Sequence, residues 1–90
     1  MELANTISMM NSADYKERFK AEYYQLKIRI DKLSAMLEKY KAGTLTFTPS
    51  CSYELLHEQL IYMRHYKAIL EQRAIIENVD LEQTDGNDKD

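Results

Sequence analysis

Cations gather densely in the stretch YKERFKAEYYQLKIRIDKL, Tyr15 to Leu33, which holds Lys16, Arg18, Lys20, Lys27, Arg29 and Lys32. Tyr15 stands at the head of this run, close to Lys16 and Arg18. A helix start flanked by cations offers N–H groups and positive charge to a phosphate, and a tyrosine ring stacks on a nucleobase. The plainer alternative is that Tyr15 only staples the helix start. Lys32, Ser34 and Arg73 form a second set. On helices their ordinary role is surface ion pairing, Arg73 with Glu77 and Lys32 with Asp31 or Glu38.

Helices must position these residues. Phe19, Tyr23, Leu26, Ile30, Leu33, Leu37 and Tyr40 alternate four and three apart, a heptad seam. A helix capped by Asn11 or Ser12, with Asp14 and Glu17 in its first turn, is expected to run to Tyr40 or Lys41. Gly43 then gives a C-cap signal. Residues 1–11 are mildly apolar (Leu3, Ile7, Met9, Met10) and suit a short helix or an ordered arm. The connection AGTLTFTPS alternates threonine with Leu45 and Phe47. With no second strand to pair with, it reads as a loop, pinned by Leu45 and Phe47. A second helix is expected over Pro49–Asn78, with Thr48 as its cap.

That second helix carries two apolar stripes. One is Leu56, Leu60, Met63, Leu70 and Ala74; the other is Leu55, Tyr62, Tyr66, Ile69 and Ile76. A hairpin closes on one stripe per helix, and a large exposed apolar patch is rare on a soluble monomer. Association of copies is the expected outcome. Tyr23, Tyr40, Tyr62 and Tyr66 lie on stripes and suit a core or a semi-wet interface. The expected architecture is therefore all-α: an antiparallel hairpin of two long helices with a short N-terminal helix or arm, assembled as a homo-oligomer. Residues 1–80 make one helical domain, and the acidic segment 81–90 is expected to be disordered.

Composition narrows the chemistry. A chain of 90 residues buries only about 60% of its unfolded surface, so its core is marginal without a further constraint. Cys51 is the only cysteine, which rules out an intrachain disulfide and suits a reduced, cytosolic setting. His57 and His65 are eight apart, a poor spacing for one metal on one helix. No apolar run is long enough to cross a membrane, and MELANTISMMNS lacks the form of a secretory signal. The net charge of −3 conceals an asymmetry: Asp80, Glu82, Asp85, Asp88 and Asp90 crowd the C-terminus, against Lys89 alone. The remaining positive excess is too small for a general DNA binder but sufficient for a compact anion. Catalysis finds little support. Cys51 and His57 are six apart and fall on different helix faces. The glutamates interleave with bases at helical spacing, as a solvated ion-pair face does. No cofactor is expected.

The order Tyr15-x-x-Arg18-Phe19-x-x-Glu22-x-x-x-Leu26-x-x-Arg29-x-x-Lys32-Leu33, then Phe47, then Leu56-x-x-Gln59-x-x-x-Met63-x-x-Tyr66-x-x-x-Leu70-x-x-Arg73 resembles a family of very small helical proteins from tailed phages and prophages. The resemblance covers about residues 12–80. Some members are sponges against cyclic-oligonucleotide-based antiphage signalling (CBASS): they bind the cyclic nucleotide messengers and do not cleave them. The resemblance implies a homohexamer in the cytoplasm of an infected bacterium, with no membrane or long nucleic acid as partner. It also implies two kinds of site. Cyclic dinucleotides lie between protomers against a tyrosine and a lysine, matched by Tyr15 and Lys32, with Arg18 beside them. Cyclic trinucleotides take a small hydroxyl residue and an arginine near the symmetry axis, matched by Ser34 and Arg73. The family's usual threonine is a serine here, which keeps the donor and loses a methyl contact. The threonine-rich loop is longer than in the family pattern.

The competing readings are a small helical phage adaptor or structural protein that assembles through its stripes and binds no nucleotide, a weak nucleic-acid-binding module and, most distantly, an enzyme.

Overall fold

The computed structural model describes residues 2–81. A 3-10 turn, Leu3–Thr6, leads into a one-turn helix α1, Ile7–Met10, followed by the long helices α2, Tyr15–Ala42, and α3, Tyr53–Glu77. No strand occurs among the described residues, so the all-α expectation holds.

The helix boundaries show which local bonds decide. Asp14, not Asn11 or Ser12, caps α2: its backbone is extended and its carboxylate accepts the Lys16 N–H at 2.9 Å. Ser12 serves one step earlier, its hydroxyl accepting the Asp14 N–H at 3.0 Å. The residues between α1 and α2 are thus held in a turn by two short polar side chains. The far end is as expected. Gly43 adopts a left-handed φ of 76°, and its N–H reaches the carbonyl of Tyr40.

The second long helix starts later than Pro49. Ser52 is its cap, with the hydroxyl accepting the Leu55 N–H at 3.1 Å. Ser50, Cys51 and Ser52 follow the proline, and serines favour caps and turns over helix interiors. Residues 44–52 therefore form an irregular connection. Asn78 ends α3 at a left-handed φ of 61°.

The heptad seam becomes the core. Phe19, Tyr23, Leu26, Ile30 and Leu37 of α2 are buried with Leu60, Leu70 and Ala74 of α3, and Leu33, Leu56 and Met63 pack against them. Tyr40 lies at the loop end of the hairpin, edge-on to Tyr53 with ring centroids 5.6 Å apart. The helix α2 is also covered beyond this seam, where Ala21 and Tyr24 are buried. The N-terminal arm reaches it through Thr6, whose Oγ1 accepts from Gln25 Nε2 at 3.0 Å. The chain after α3 returns too: Val79 is buried, and Tyr24 donates its hydroxyl to the Leu81 carbonyl at 2.9 Å. The rest of the acidic tail expected over 81–90 lies outside the described residues.

The second stripe of α3 faces solvent in the single chain. Leu55, Tyr62, Tyr66, Ile69 and Ile76 are all exposed, Tyr62 by 65% and Ile76 by 82%. Tyr62 and Tyr66 are thus not part of the hairpin core.

Two outcomes follow from this core. Leu70 is fully buried, so Leu70→Ala is expected to cost about 2–5 kcal/mol in urea unfolding; a loss under about 1 kcal/mol would contradict the seam. Tyr23 donates its hydroxyl to Glu71 at 2.7 Å, with Lys67 3.2 Å from the same carboxylate. These contacts, Tyr23 foremost, hold the Glu71 carboxyl below its ordinary value of 4.5 against an opposing desolvation. A depressed carboxyl stabilises the fold above its unfolded-chain value, and that stabilisation disappears as pH falls through the folded value. Unfolding midpoints followed by circular dichroism should fall with acidification below the ordinary carboxylate range, and more shallowly in Tyr23→Phe.

Candidate anion-binding site

Antiparallel packing brings the start of α2 against the end of α3. Tyr15 donates its hydroxyl to Glu77 Oε1 at 3.0 Å, and Arg73 Nε donates to Glu77 Oε2 at 2.8 Å. Lys16 Nζ donates to the Asn78 carbonyl at 3.1 Å, a cation placed at the negative end of α3. Arg73 also lies over the Phe19 ring, 4.9 Å from its centroid. Arg18 Nη1 donates to the Ser12 carbonyl at 2.8 Å. The outcome is an open hollow of about 190 Å³ lined by Tyr15, Arg18, Phe19, Glu22 and Arg73.

The electrostatics follow from Glu77. Arg73, then Tyr15, hold its carboxyl below the ordinary value. The same carboxylate, by accepting a hydrogen bond from the hydroxyl, raises Tyr15 above its ordinary value of 10.0, so Tyr15 is a neutral donor at physiological pH. It also raises Arg73. The ion pair expected between Arg73 and Glu77 is therefore present, and the same residues line a cavity. Arg73 bonds Glu77 through Nε, one of its five N–H donors, so its terminal nitrogens remain to face an anion.

One expected feature differs. The first turn of α2 is not an open phosphate cradle, because the Asp14 carboxylate already accepts the Lys16 N–H. An anion at this end must be held by side chains instead.

Lys32 lies elsewhere. It lines a second hollow, of about 500 Å³, between the C-terminal half of α2 and the loop after it. No ion pair of Lys32 with Asp31 or Glu38 occurs among the described residues. Ser34 is half-buried on α2 and lines neither hollow. Tyr15 and Lys32 are separated along α2 by about 26 Å, and Phe19, which carries Arg73, and Ser34 by about 22 Å, at 1.5 Å per residue. One chain thus brings together Tyr15, Arg18 and Arg73, and leaves Lys32 and Ser34 apart from them.

Sequence reasoning missed Glu77 as the residue joining Tyr15 to Arg73. The signal was available, because an antiparallel hairpin must set the start of one helix beside the end of the other. It also missed Lys39, Thr44, Thr46 and Phe47 beside Lys32; Lys39 is two helical turns beyond Lys32, on the same face. A third hollow, lined by Tyr23, Ala74, Val79 and Leu81, has Glu71 and Asp80 and no lysine or arginine on its wall, and is unsuited to an anion. The described residues contain no group of three or more metal-ligating side chains. No described helix is long and apolar enough to cross a membrane.

No curated protein and no solved structure matches the chain. A family model does: Sequestin, over residues 13–76, the span that contains α2, its loop and nearly all of α3. The match covers most of the sequence and includes every residue at the two cationic hollows, and on it the chain belongs to the Sequestin family.

Proposed function

We propose that this protein is a phage-encoded sponge. It binds cyclic oligonucleotide second messengers, cyclic di- and trinucleotides, without cleaving them, and withholds them from CBASS effectors in the cytoplasm of the infected host. The observation that carries this reading is the meeting of Tyr15, Arg18 and Arg73 at one open hollow in a chain whose family name denotes sequestration. Guanidinium groups bind phosphate through charge-assisted, often bidentate bonds, and a tyrosine ring beside them offers a face to a base.

In this reading the sites are completed by association. Tyr15 and Arg18 of one copy act with Lys32 of another on a cyclic dinucleotide, bridging a separation that one chain cannot close. Ser34 and Arg73, repeated about a symmetry axis, hold a cyclic trinucleotide. The bare α3 stripe of Leu55, Tyr62, Tyr66, Ile69 and Ile76 supplies the contact between copies, and a homohexamer is the assembly the family resemblance implies. The same stripe also favours a second reading, a helical phage adaptor that assembles and binds no nucleotide.

Isothermal titration with cyclic di-AMP, cyclic di-GMP, cyclic GMP–AMP and cyclic triadenylate separates the two. A sponge gives heat with at least one of them at micromolar protein. Lys32→Ala is expected to weaken dinucleotide binding by tenfold or more, and Arg73→Ala to do the same for the trinucleotide. Ligand released by heat denaturation should elute unchanged on chromatography. Silence with every cyclic nucleotide leaves the adaptor, and a cleaved product contradicts sequestration.

A further inference from the structure

The larger cationic hollow sets beside Lys32 several residues to which the sponge reading gives no role. It is a cleft of about 500 Å³ walled on one side by α2 and on the other by the Thr44–Phe47 loop. That volume falls within the range of small-molecule sites. Lys32 and Lys39 project into it from one helix face, with the small Ala35 between them leaving room. No acid is among its lining residues, and neither lysine is in an ion pair among the described residues. Two ammonium groups thus face one cavity with no countercharge on its walls.

The loop completes a chemically mixed wall. The α2 carbonyl end beneath it is capped: the Gly43 N–H reaches the Tyr40 carbonyl at 3.1 Å, and the Thr44 N–H the Lys39 carbonyl at 2.9 Å. This reduces the negative end that would otherwise repel an anion. The Thr44 hydroxyl also leans on that carbonyl, at 3.4 Å. The Thr46 hydroxyl is bonded to none of the described residues. Phe47 is 56% exposed and stands between this cleft and a second hollow formed with Tyr40 and Pro49. Its ring stands at the mouth of a doubly cationic cleft with a face open for stacking.

We propose that this cleft holds one phosphorylated nucleoside unit, with Lys32 and Lys39 on the phosphate, the Thr46 hydroxyl donating to a phosphate oxygen, and Phe47 stacked on the base. The proposal rests on the sponge reading for the ligand's cyclic form, and adds to it the residues of the loop. Lys39, Thr46 and Phe47 become specificity determinants, since a ring contact and a hydroxyl contact select a nucleotide over inorganic phosphate.

The test is a titration of isotope-labelled full-length protein, followed through its backbone amides, with cyclic di-AMP, cyclic di-GMP, AMP and inorganic phosphate. Isothermal titration of Lys39→Ala and Phe47→Leu accompanies it. The expected result is movement of the Lys39 and Thr44–Phe47 amides with a nucleotide, and about tenfold weaker binding (~1.4 kcal/mol) in each variant. Phe47→Leu keeps an apolar side chain, so its loss reports the ring. Cyclic nucleotide binding that moves only the Tyr15 and Arg73 region, with both variants at wild-type affinity, overturns the cleft and leaves the sponge. Movement of the loop with AMP, without binding of any cyclic nucleotide, supports the cleft and removes the sponge. Movement with phosphate equal to that with AMP overturns the nucleoside assignment, and no movement with any probe overturns the cleft.

Discussion

The seam between α2 and α3 is the contact on which the other features depend. It takes the α3 stripe of Leu60, Leu70 and Ala74 against the heptad row of α2, and a helix pair can bury only one such stripe per helix. Choosing that stripe orients everything else. It turns Leu55, Tyr62, Tyr66, Ile69 and Ile76 outward, and it aligns the start of α2 with the end of α3. The Tyr15–Glu77 contact is a consequence of this register, and it joins Tyr15 to the local i,i+4 pair of Arg73 and Glu77.

The two cationic hollows solve the problem of holding like charges in different ways. At the Tyr15 end the Glu77 carboxylate offsets Arg73, and the guanidinium lies on the Phe19 ring with terminal donors to spare. An arriving anion there meets an arginine already oriented. Beside the loop, Lys32 and Lys39 have no acid on the cavity wall and depend on water to screen them. In the proposed site a bound anion would offset both charges. The first arrangement favours orientation and the second favours charge, and the proposed assembly would bring copies of both around shared ligands.

Much of the fold was legible because it follows from side-chain period. The row from Phe19 to Leu37 and the first stripe of α3 mark the seam, and Gly43 marks the end of α2. What was less legible depends on competition between similar caps. Asn11, Ser12 and Asp14 can each cap a helix; Asp14 takes the role, and Ser12 instead accepts the Asp14 N–H in the turn before it. Thr48–Pro49 is a good helix start in isolation, but Ser52 takes the role with its bond to Leu55. The burial of Tyr24 depends on Leu81, 57 residues away, which no local pattern encodes. At the candidate sites, residue types were readable and juxtapositions were not. Tyr15 and Arg18 were matched to one ligand and Arg73 to another, yet all three line one hollow. The alternation of Leu45 and Phe47 with threonines gave no sign that the loop would fold over Lys32 and Lys39.

The central claim is that copies of this hairpin join through the bare α3 stripe and complete nucleotide sites between them. Native mass spectrometry of the full chain, alone and with an equimolar mixture of cyclic di- and trinucleotides, tests it most directly. The account predicts a closed oligomer, six chains in the favoured assembly, that retains intact cyclic nucleotides in numbers smaller than its chains. A monomer at micromolar concentration, with and without nucleotide, would contradict it.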